Sequence, residues 1–312
     1  MKVAVTCIQL IRDLELCRGQ FEAAGLEPVA ASVPGQHLEG DDLVASLDGC
    51  VGVVAGDDQF TPEVLERSPR LRVISKWGIG VDGINREAAD RLGIVVRNTP
   101  GMFDDEVGDV TMAYIVDVCR HLTLIDRGIR SGRWPKPPGM SLAGSVLGVV
   151  GLGGIGRAVA KRALVSGMKV VGFDPGEESA RLARELGVDT VDLDVLLSDS
   201  DVISVNAPLN PSTFHLIDAS AFAAMKHGVR LVNTGRGPVV SSDALVEALR
   251  SGKVAAAALD VMEQEPVPTG HPLREFDSVV FGSHNASNTK EASMRTHVRA
   301  IQNLIDELEA LG

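Results

Sequence analysis

The chain has 312 residues, 45% of them apolar and 23% charged, and a formal net charge of −12. That is the composition of a folded globular protein long enough for two domains, and an acidic balance without clustered Lys and Arg excludes a nucleic-acid partner. No apolar run approaches the ~20 residues that cross a bilayer, and the start, Met1 to Thr6, is too short and polar for a signal peptide, so a cytoplasmic protein away from membranes is expected.

The first third alternates strands with helices. Lys2–Thr6 reads as a strand, about Asp13 to Ala24 as an amphipathic helix closed by Gly25, and Pro28–Ser32 as a second strand. After a loop come a strand at Val51–Ala55, a helix opened by Thr61-Pro62-Glu63, and a strand at Leu71–Ser75. Thr61 suits the N-cap, and Pro62 the first helical position, where its missing N–H costs nothing. Such alternation implies parallel pairing. The strand from Leu71 opens into Lys76-Trp77-Gly78-Ile79-Gly80-Val81-Asp82, whose glycines expose backbone N–H groups at the carboxyl end of a strand, where open α/β sheets bind ligands. Cys7, Cys17, Cys50 and Cys119 show no short paired spacing, so neither a metal site nor a disulfide framework is expected.

A strand from Ile94 is stopped by Pro100-Gly101. From Asp104 to about Arg130 runs the longest periodic segment, with Val107, Val110, Met112, Tyr114, Ile115, Val118 and Leu122 forming an apolar stripe. It reads as one long helix of the kind that crosses between domains or forms an oligomer interface. Arg133 to Pro138 follows as a stiff extended link, with Trp134 packing on the domain surface.

The strand Ser145–Val150 then runs into Gly151-Leu-Gly153-Gly154-Ile155-Gly156, a Gly-x-Gly-x-x-Gly turn ahead of a helix from Arg157 to Ser166. Gly151 permits the tight bend, Gly153 lets a pyrophosphate approach bare backbone, and Gly156 lets the helix pack against the sheet. The helix N-terminus presents free N–H groups to that anion. A second strand, Met168–Phe173, ends in Asp174, 18 positions beyond Gly156 and close to the ~20 expected of an acid that binds adenosine ribose. A carboxylate there repels a 2′-phosphate, so NAD is expected rather than NADP.

Further alternation brings a helix at Glu177–Leu186, a strand at Asp201–Asn206 leading to Ala207-Pro208 where a cofactor would pass, and a strand at Val229–Thr234 ending in Gly235-Arg236-Gly237. A helix spans Ser242–Arg250, a strand Val254–Val261 carries Asp260 and leads to Glu265, and a strand Ser278–Phe281 leads to Gly282-Ser-His284-Asn-Ala-Ser287. A final helix runs from about Asn288 to Leu311. Arg236, Glu265 and His284 thus lie just beyond strand ends on the edge that carries the glycine turn. Arg236, between two glycines, can present its planar fork to a carboxylate. Histidine is the side chain that titrates near neutrality, so His284 suits proton transfer to or from a hydroxyl, with Glu265 holding its ring.

Taken together, the glycine turn, Asn233-Thr234-Gly235-Arg236-Gly237, Leu259-Asp260-Val261 followed by Glu265-Pro266, Gly282-Ser-His284-Asn-Ala286, Lys76–Asp82 and Asn98–Gly101 resemble the D-isomer-specific 2-hydroxyacid dehydrogenases, nearest to the 3-phosphoglycerate dehydrogenase-like branch. The resemblance implies two α/β domains, Rossmann-like or flavodoxin-like with doubly wound parallel sheets, separated by a cleft. Residues 1–98 plus 287–312 would bind substrate and 99–286 would bind NAD, with hinges near Asn98–Gly101 and His284–Asn288. It implies hydride transfer between NAD and C2 of a small anionic D-2-hydroxy or 2-oxo acid, with phosphorylated or otherwise dianionic acids among the candidates. Arg236 would hold the carboxylate and 2-oxygen, His284 would act as acid and base, and Glu265 would tune it. Lys76, Trp77, Gly78, Ile79 and Gly80 would bind substrate, with backbone groups of Ile79 and Gly80, and Lys76 nearby, cradling its carboxylate. Gly151, Gly153, Gly154, Ile155, Gly156, Asp174, Asn206, Ala207, Pro208, Thr213, Thr234, Gly235 and Asp260 would bind the cofactor, and the 104–130 region would form a homodimer. Two departures bear on the substrate: acids stand at Asp57 and Asp58 where phosphoglycerate-specific members often carry an Arg-Ser pair, and the sequence stops at Gly312 where many such members continue into a regulatory domain. The rival readings are dehydrogenation of phosphite or formate on the same scaffold, and NAD(H) sensing without catalysis.

Overall fold

Every strand pairing is parallel, as the alternation of strands and helices requires. The computed structural model describes all 312 residues. The chain runs β1 (Lys2–Val5), α1 (Ile8–Arg12), α2 (Leu14–Ala23), β2 (Glu27–Ala30), α3 (Gly40–Leu47), β3 (Gly52–Ala55), α4 (Pro62–Glu66), β4 (Val73–Lys76), α5 (Arg86–Arg91) and β5 (Val95–Arg97). It continues through α6 (Asp104–Arg120), α7 (Leu122–Arg130), β6 (Val146–Val150), α8 (Gly154–Val165), β7 (Lys169–Phe173), α9 (Glu177–Glu185), β8 (Asp189–Thr190) and α10 (Leu193–Asp199). The remainder is β9 (Val202–Val205), α11 (Ala219–Ala224), β10 (Val229–Asn233), α12 (Ser242–Arg250), β11 (Val254–Leu259), β12 (Val279–Phe281) and α13 (Lys290–Leu311). Two compact units result: Met1–Met102 with Asn288–Gly312, and Phe103–Ser287. No helix is long and apolar enough to cross a membrane.

The first unit has a five-stranded sheet in the order β2-β1-β3-β4-β5. Thr61 caps α4 by accepting from the Val64 N–H, as its Thr-Pro-Glu start requires. Helix α13 closes this unit: a Cβ on Gly52 of β3 would meet Leu304 Cδ1 at 2.6 Å, so glycine is what lets the helix lie so close. The Ser75 hydroxyl donates to the Ala300 carbonyl at 2.7 Å. At the end of β4, Trp77 Nε1 donates to His297 Nδ1 at 2.9 Å, which leaves the ring proton on Nε2, 3.2 Å from Asp13 Oδ2.

His297 is fully buried, and burial holds its pKa below the ordinary 6.5, with Asp13 opposing. The folded chain therefore binds this proton less readily than the unfolded chain does. Its contribution to stability is complete above the unfolded value and is lost as pH falls from 6.5 toward the lower folded value, at up to ~1.4 kcal/mol per pH unit. The urea midpoint should fall on acidification through this window, with a shallower slope in His297→Gln; equal slopes would remove His297 as the cause.

The second unit has a seven-stranded sheet in the order β12-β11-β10-β9-β6-β7-β8. From β6 the chain builds outward through β7 and β8, then returns to the other side through β9 to β12. The switch point therefore lies between β6 and β9.

The 104–130 segment is not one helix. It breaks at His121, in the left-handed region at φ 58°, into α6 of 17 residues and α7 of nine. Asp117 folds over the break and accepts from both the Thr123 N–H, at 2.9 Å, and the Thr123 hydroxyl, so it caps the second helix instead of sustaining the first. The longest helix is α13, with 22 residues. Trp134 does not pack on the domain surface but stands 76% exposed. Helix α8 starts at Gly154, so Gly156 lies inside its first turn.

Candidate active site

The turn after β6 is built from glycines with distinct reasons. Gly151 has φ +91°, and a Cβ there would meet the backbone of Ala207 at 2.8 Å, which places the β6 and β9 loops side by side at the switch point. A Cβ on Gly156 would sit 1.9 Å from the Gly151 carbonyl oxygen, while one on Gly153 would meet no atom within 4 Å. Gly153 therefore opens a bare backbone cradle at the start of α8, the shape a pyrophosphate needs. A Cβ on Gly154 would strike the half-buried Asp104 carboxyl, whose pKa burial raises and Arg157 opposes. Arg157, which the sequence reading passed over, donates to the Leu152 carbonyl at 2.8 Å and places a cation beside the turn.

Asp174 is fixed to the same turn. Its Oδ2 accepts from the Leu152 N–H at 2.7 Å and its Oδ1 from the Gly176 N–H at 2.8 Å. Each oxygen keeps a lone pair for a ribose hydroxyl. The cradle at Gly153 and the oriented acid at Asp174 fit NAD.

Across β9 and β10, the Asn206 Nδ2 donates to the Thr234 hydroxyl at 2.9 Å, and the Asn233 side chain staples the next turn, donating to the Arg236 carbonyl at 3.0 Å and accepting from the Gly235 N–H at 3.1 Å. A Cβ on Gly235 would lie 2.7 Å from the Ala207 carbonyl oxygen, and one on Gly237 would lie 1.9 Å from Met262 backbone, so the Arg236 turn is wedged between its neighbours with no slack. Arg236 Nη1 donates to the Gly235 carbonyl at 3.0 Å. Thr213 ties its own loop, donating to the Pro208 carbonyl at 2.7 Å and accepting from the Asn210 N–H at 2.8 Å.

Glu265 and His284, apart in sequence, meet. Glu265 Oε1 accepts from the Met262 N–H at 2.8 Å, and Oε2 lies 2.8 Å from His284 Nδ1. The carboxylate accepts a hydrogen bond from Nδ1–H, which assigns the exchangeable proton of the reaction to Nε2. The His284 side chain is 31% exposed, enough for a substrate to reach it. Its backbone is left-handed at φ +55°, held by its N–H donating to the Asp260 carbonyl at 2.7 Å. Asp260 is buried, with Oδ1 accepting from Tyr114 at 3.0 Å and Oδ2 from the Ala286 N–H at 3.1 Å.

In the first unit, the Lys76–Gly80 loop differs from expectation at Trp77. Its indole turns into the core and bonds His297, so the side chain anchors the loop, and a substrate contact at this position falls to the backbone. Lys76 is also buried, donating to the Trp77 carbonyl at 2.7 Å and pairing with Asp57 at 3.1 Å. Gly78, at φ +128°, donates its N–H to the Thr99 hydroxyl at 2.9 Å, and Asn98 Nδ2 donates to the Ile79 carbonyl at 2.7 Å. The N–H groups of Ile79 and Gly80 lie at the carboxyl end of β4.

Of the two acids that stand in place of the Arg-Ser pair, Asp58 is buried structure. It accepts from the Thr6 hydroxyl, the Leu38 N–H at 2.8 Å and the Gly56 N–H at 3.1 Å, and burial raises its pKa against those bonds.

The sequence model for the D-isomer specific 2-hydroxyacid dehydrogenase, NAD binding domain, matches residues 112–286. The chain is 42% identical over 265 residues to a glyoxylate reductase of Thermofilum pendens, covering 81% of this chain and 76% of that protein. It is 39% identical over 282 residues to a hydroxypyruvate reductase of Thermotoga maritima, covering 88% and 90%. The crystal structure of a D-lactate dehydrogenase from Aquifex aeolicus, complexed with NAD and lactic acid, superposes with a TM-score of 0.86 at 26% identity, covering 99% of this chain and 96% of that one. The chain belongs to the D-isomer-specific 2-hydroxyacid dehydrogenase family, and its second unit carries that family's NAD-binding domain.

Proposed function

We propose that this protein reduces a short, unphosphorylated 2-oxoacid of the glyoxylate, hydroxypyruvate or pyruvate class, and in reverse oxidises the D-2-hydroxyacid. The observation that carries this reading is the Glu265–His284 pair, 2.8 Å apart, which leaves Nε2 to give or take the hydroxyl proton. NADH, when bound, supplies the hydride. Arg236 holds the carboxylate and draws charge onto the 2-oxygen, and His284 delivers the proton to that oxygen. The backbone N–H groups of Ile79 and Gly80 bind the carboxylate from the substrate-binding segment, residues 1–98 plus 287–312.

Charge at this edge of the first unit supports an unphosphorylated substrate. Lys76, the cation at the end of β4, is paired with Asp57, so its charge is already partly neutralised toward a second anionic group. The names of the two reductases point the same way. The test is NADH consumption against glyoxylate, pyruvate, hydroxypyruvate and 3-phosphohydroxypyruvate. The expected result is turnover on the first three with the phosphorylated acid poorest. A preference for 3-phosphohydroxypyruvate, or tight NADH binding with no turnover on any 2-oxoacid, would overturn it.

Asp174 sets the cofactor. Asp174→Ala removes two ribose acceptors and the tie to Leu152, so the KM for NADH should rise by about 10–100-fold, while the efficiency ratio of NADPH to NADH also rises. An unchanged ratio would remove Asp174 from cofactor choice.

The same reading includes a homodimer assembled through the 104–130 region. Exposed Leu122 and Ile129 on α7, and Trp134 beyond it, supply apolar surface for it. It also places the protein in the cytoplasm, in keeping with four free, buried thiols.

A further inference from the structure

Helix α6 carries two hydroxyls, Thr111 and Tyr114, one turn apart, and both reach loops of the candidate active site. The Thr111 hydroxyl donates within its own helix to the Val107 carbonyl at 2.6 Å, so in its 2.8 Å contact with Thr234 it is the acceptor and Thr234 donates. Thr234 in turn accepts from Asn206, and Asn206 from the Ser204 hydroxyl at 2.9 Å. This directed chain runs beneath the loops after β9 and β10.

Tyr114 makes the second connection, and here the packing is tighter. Its hydroxyl donates to Asp260 Oδ1 at 3.0 Å, on a carboxylate that is buried. The other oxygen accepts from the Ala286 N–H, and the Asp260 carbonyl accepts from the His284 N–H. The loop from Gly282 to Ala286 is thereby wrapped around Asp260 at both ends. A Cβ on Gly282 would lie 2.1 Å from Asp260 Oδ1 and 2.3 Å from the Tyr114 hydroxyl, so only glycine lets the loop lie this close to both groups. A left-handed histidine persists only where its surroundings over-determine it, and this is the device that does so.

We propose that Tyr114 is a positioning residue of the active site, whose hydroxyl, acting through Asp260, fixes the loop that presents His284. The inference rests on His284 being the acid/base. The ring of Tyr114 contributes packing that a phenylalanine would keep; the hydroxyl is the part that orients the buried carboxylate.

The test is Tyr114→Phe, which removes one oxygen and keeps the ring. The expected result is a fall in kcat for 2-oxoacid reduction of about ten- to a hundredfold, because a small displacement of the acid is costly, with KM for the 2-oxoacid unchanged. An unchanged kcat, or a loss that merely follows the fraction of folded protein, would overturn the proposal. If Tyr114→Phe does not fold, the wild-type protein answers alone. Tyr114 is the only tyrosine, so the ultraviolet tyrosinate band reports this group by itself. Burial, with the Asp260 carboxylate beside it, should push this band well above the ordinary value of about 10, and its appearance at the ordinary value would overturn the buried contact. A parallel His284→Asn variant separates the two readings. An inactive His284→Asn with a normal Tyr114→Phe rejects the positioning role alone, whereas normal turnover in both rejects the acid/base assignment on which it rests.

Discussion

Replacing His284 by Asn should lower kcat for 2-oxoacid reduction by about 10²–10⁴-fold, the range for loss of a positioned general acid. Asn is the informative substitution because position 284 is left-handed at φ +55°, a conformation Asn tolerates and Ala does not. The variant keeps the left-handed backbone and loses the imidazole, with its bond to Glu265. NADH binding should therefore survive, since the Gly151–Gly156 turn and Asp174 contribute nothing to proton transfer. In the wild type, reduction needs a protonated imidazole and oxidation a neutral one, so the reductive rate should fall, and the oxidative rate rise, as pH rises through the His284 titration. That dependence should vanish in His284→Asn. Steady-state rates in both directions across pH, with NADH affinity from fluorescence, check this. A reductive profile that stays flat in the wild type would contradict the assignment.

The second large effect falls on Arg236. If its fork donates two charge-assisted bonds to the substrate, each worth about 1.5–3 kcal/mol, their loss in Arg236→Ala should lower kcat/KM by about 10²–10⁴-fold. The loss should appear mainly as a raised KM for the 2-oxoacid, with a further loss in kcat from the 2-oxygen contact. Arg236→Lys should recover only a part, because an ammonium restores the charge and not the two parallel donors. The backbone argues that both variants fold. Arg236 is extended, at φ −138° and ψ 140°, and its turn is held by the Asn233 side chain and the glycines at 235 and 237. Kinetics with varied 2-oxoacid at saturating NADH give the result; an unchanged KM in Arg236→Ala would move the carboxylate site elsewhere.

What was legible in the sequence was whatever a residue must do for its own backbone or its near neighbours. The glycine turn could be read because Gly151, Gly153 and Gly156 each answer a local requirement, and the acid at Asp174 follows at a distance set by one helix and one strand. Arg236, Glu265 and His284 could be placed on one edge because parallel strands put all their carboxyl ends there. Contacts fixed only by tertiary packing were not legible. Asp58 lies 52 positions from Thr6, whose hydroxyl it accepts, and nothing in Val53–Asp58 announces a buried carboxylate that ties down two loops. His297 meets Trp77 across 220 positions, and nothing near Trp77 in the sequence announces that its indole anchors the loop to the core. Tyr114 read as one member of an apolar stripe, and periodicity reports where a ring points and not what its hydroxyl bonds. The break at His121 escaped for a related reason: the stripe through Leu122 continues across it, and the chemistry that ends the helix is an aspartate four positions earlier folding forward onto Thr123.

The most direct measurement is the stereochemistry of the product formed from hydroxypyruvate and NADH, resolved by enantioselective chromatography and counted against NADH consumed. A D-isomer-specific enzyme of this family should yield D-glycerate, one molecule for each NADH. Formation of L-glycerate, or consumption of NADH without glycerate, would contradict the account.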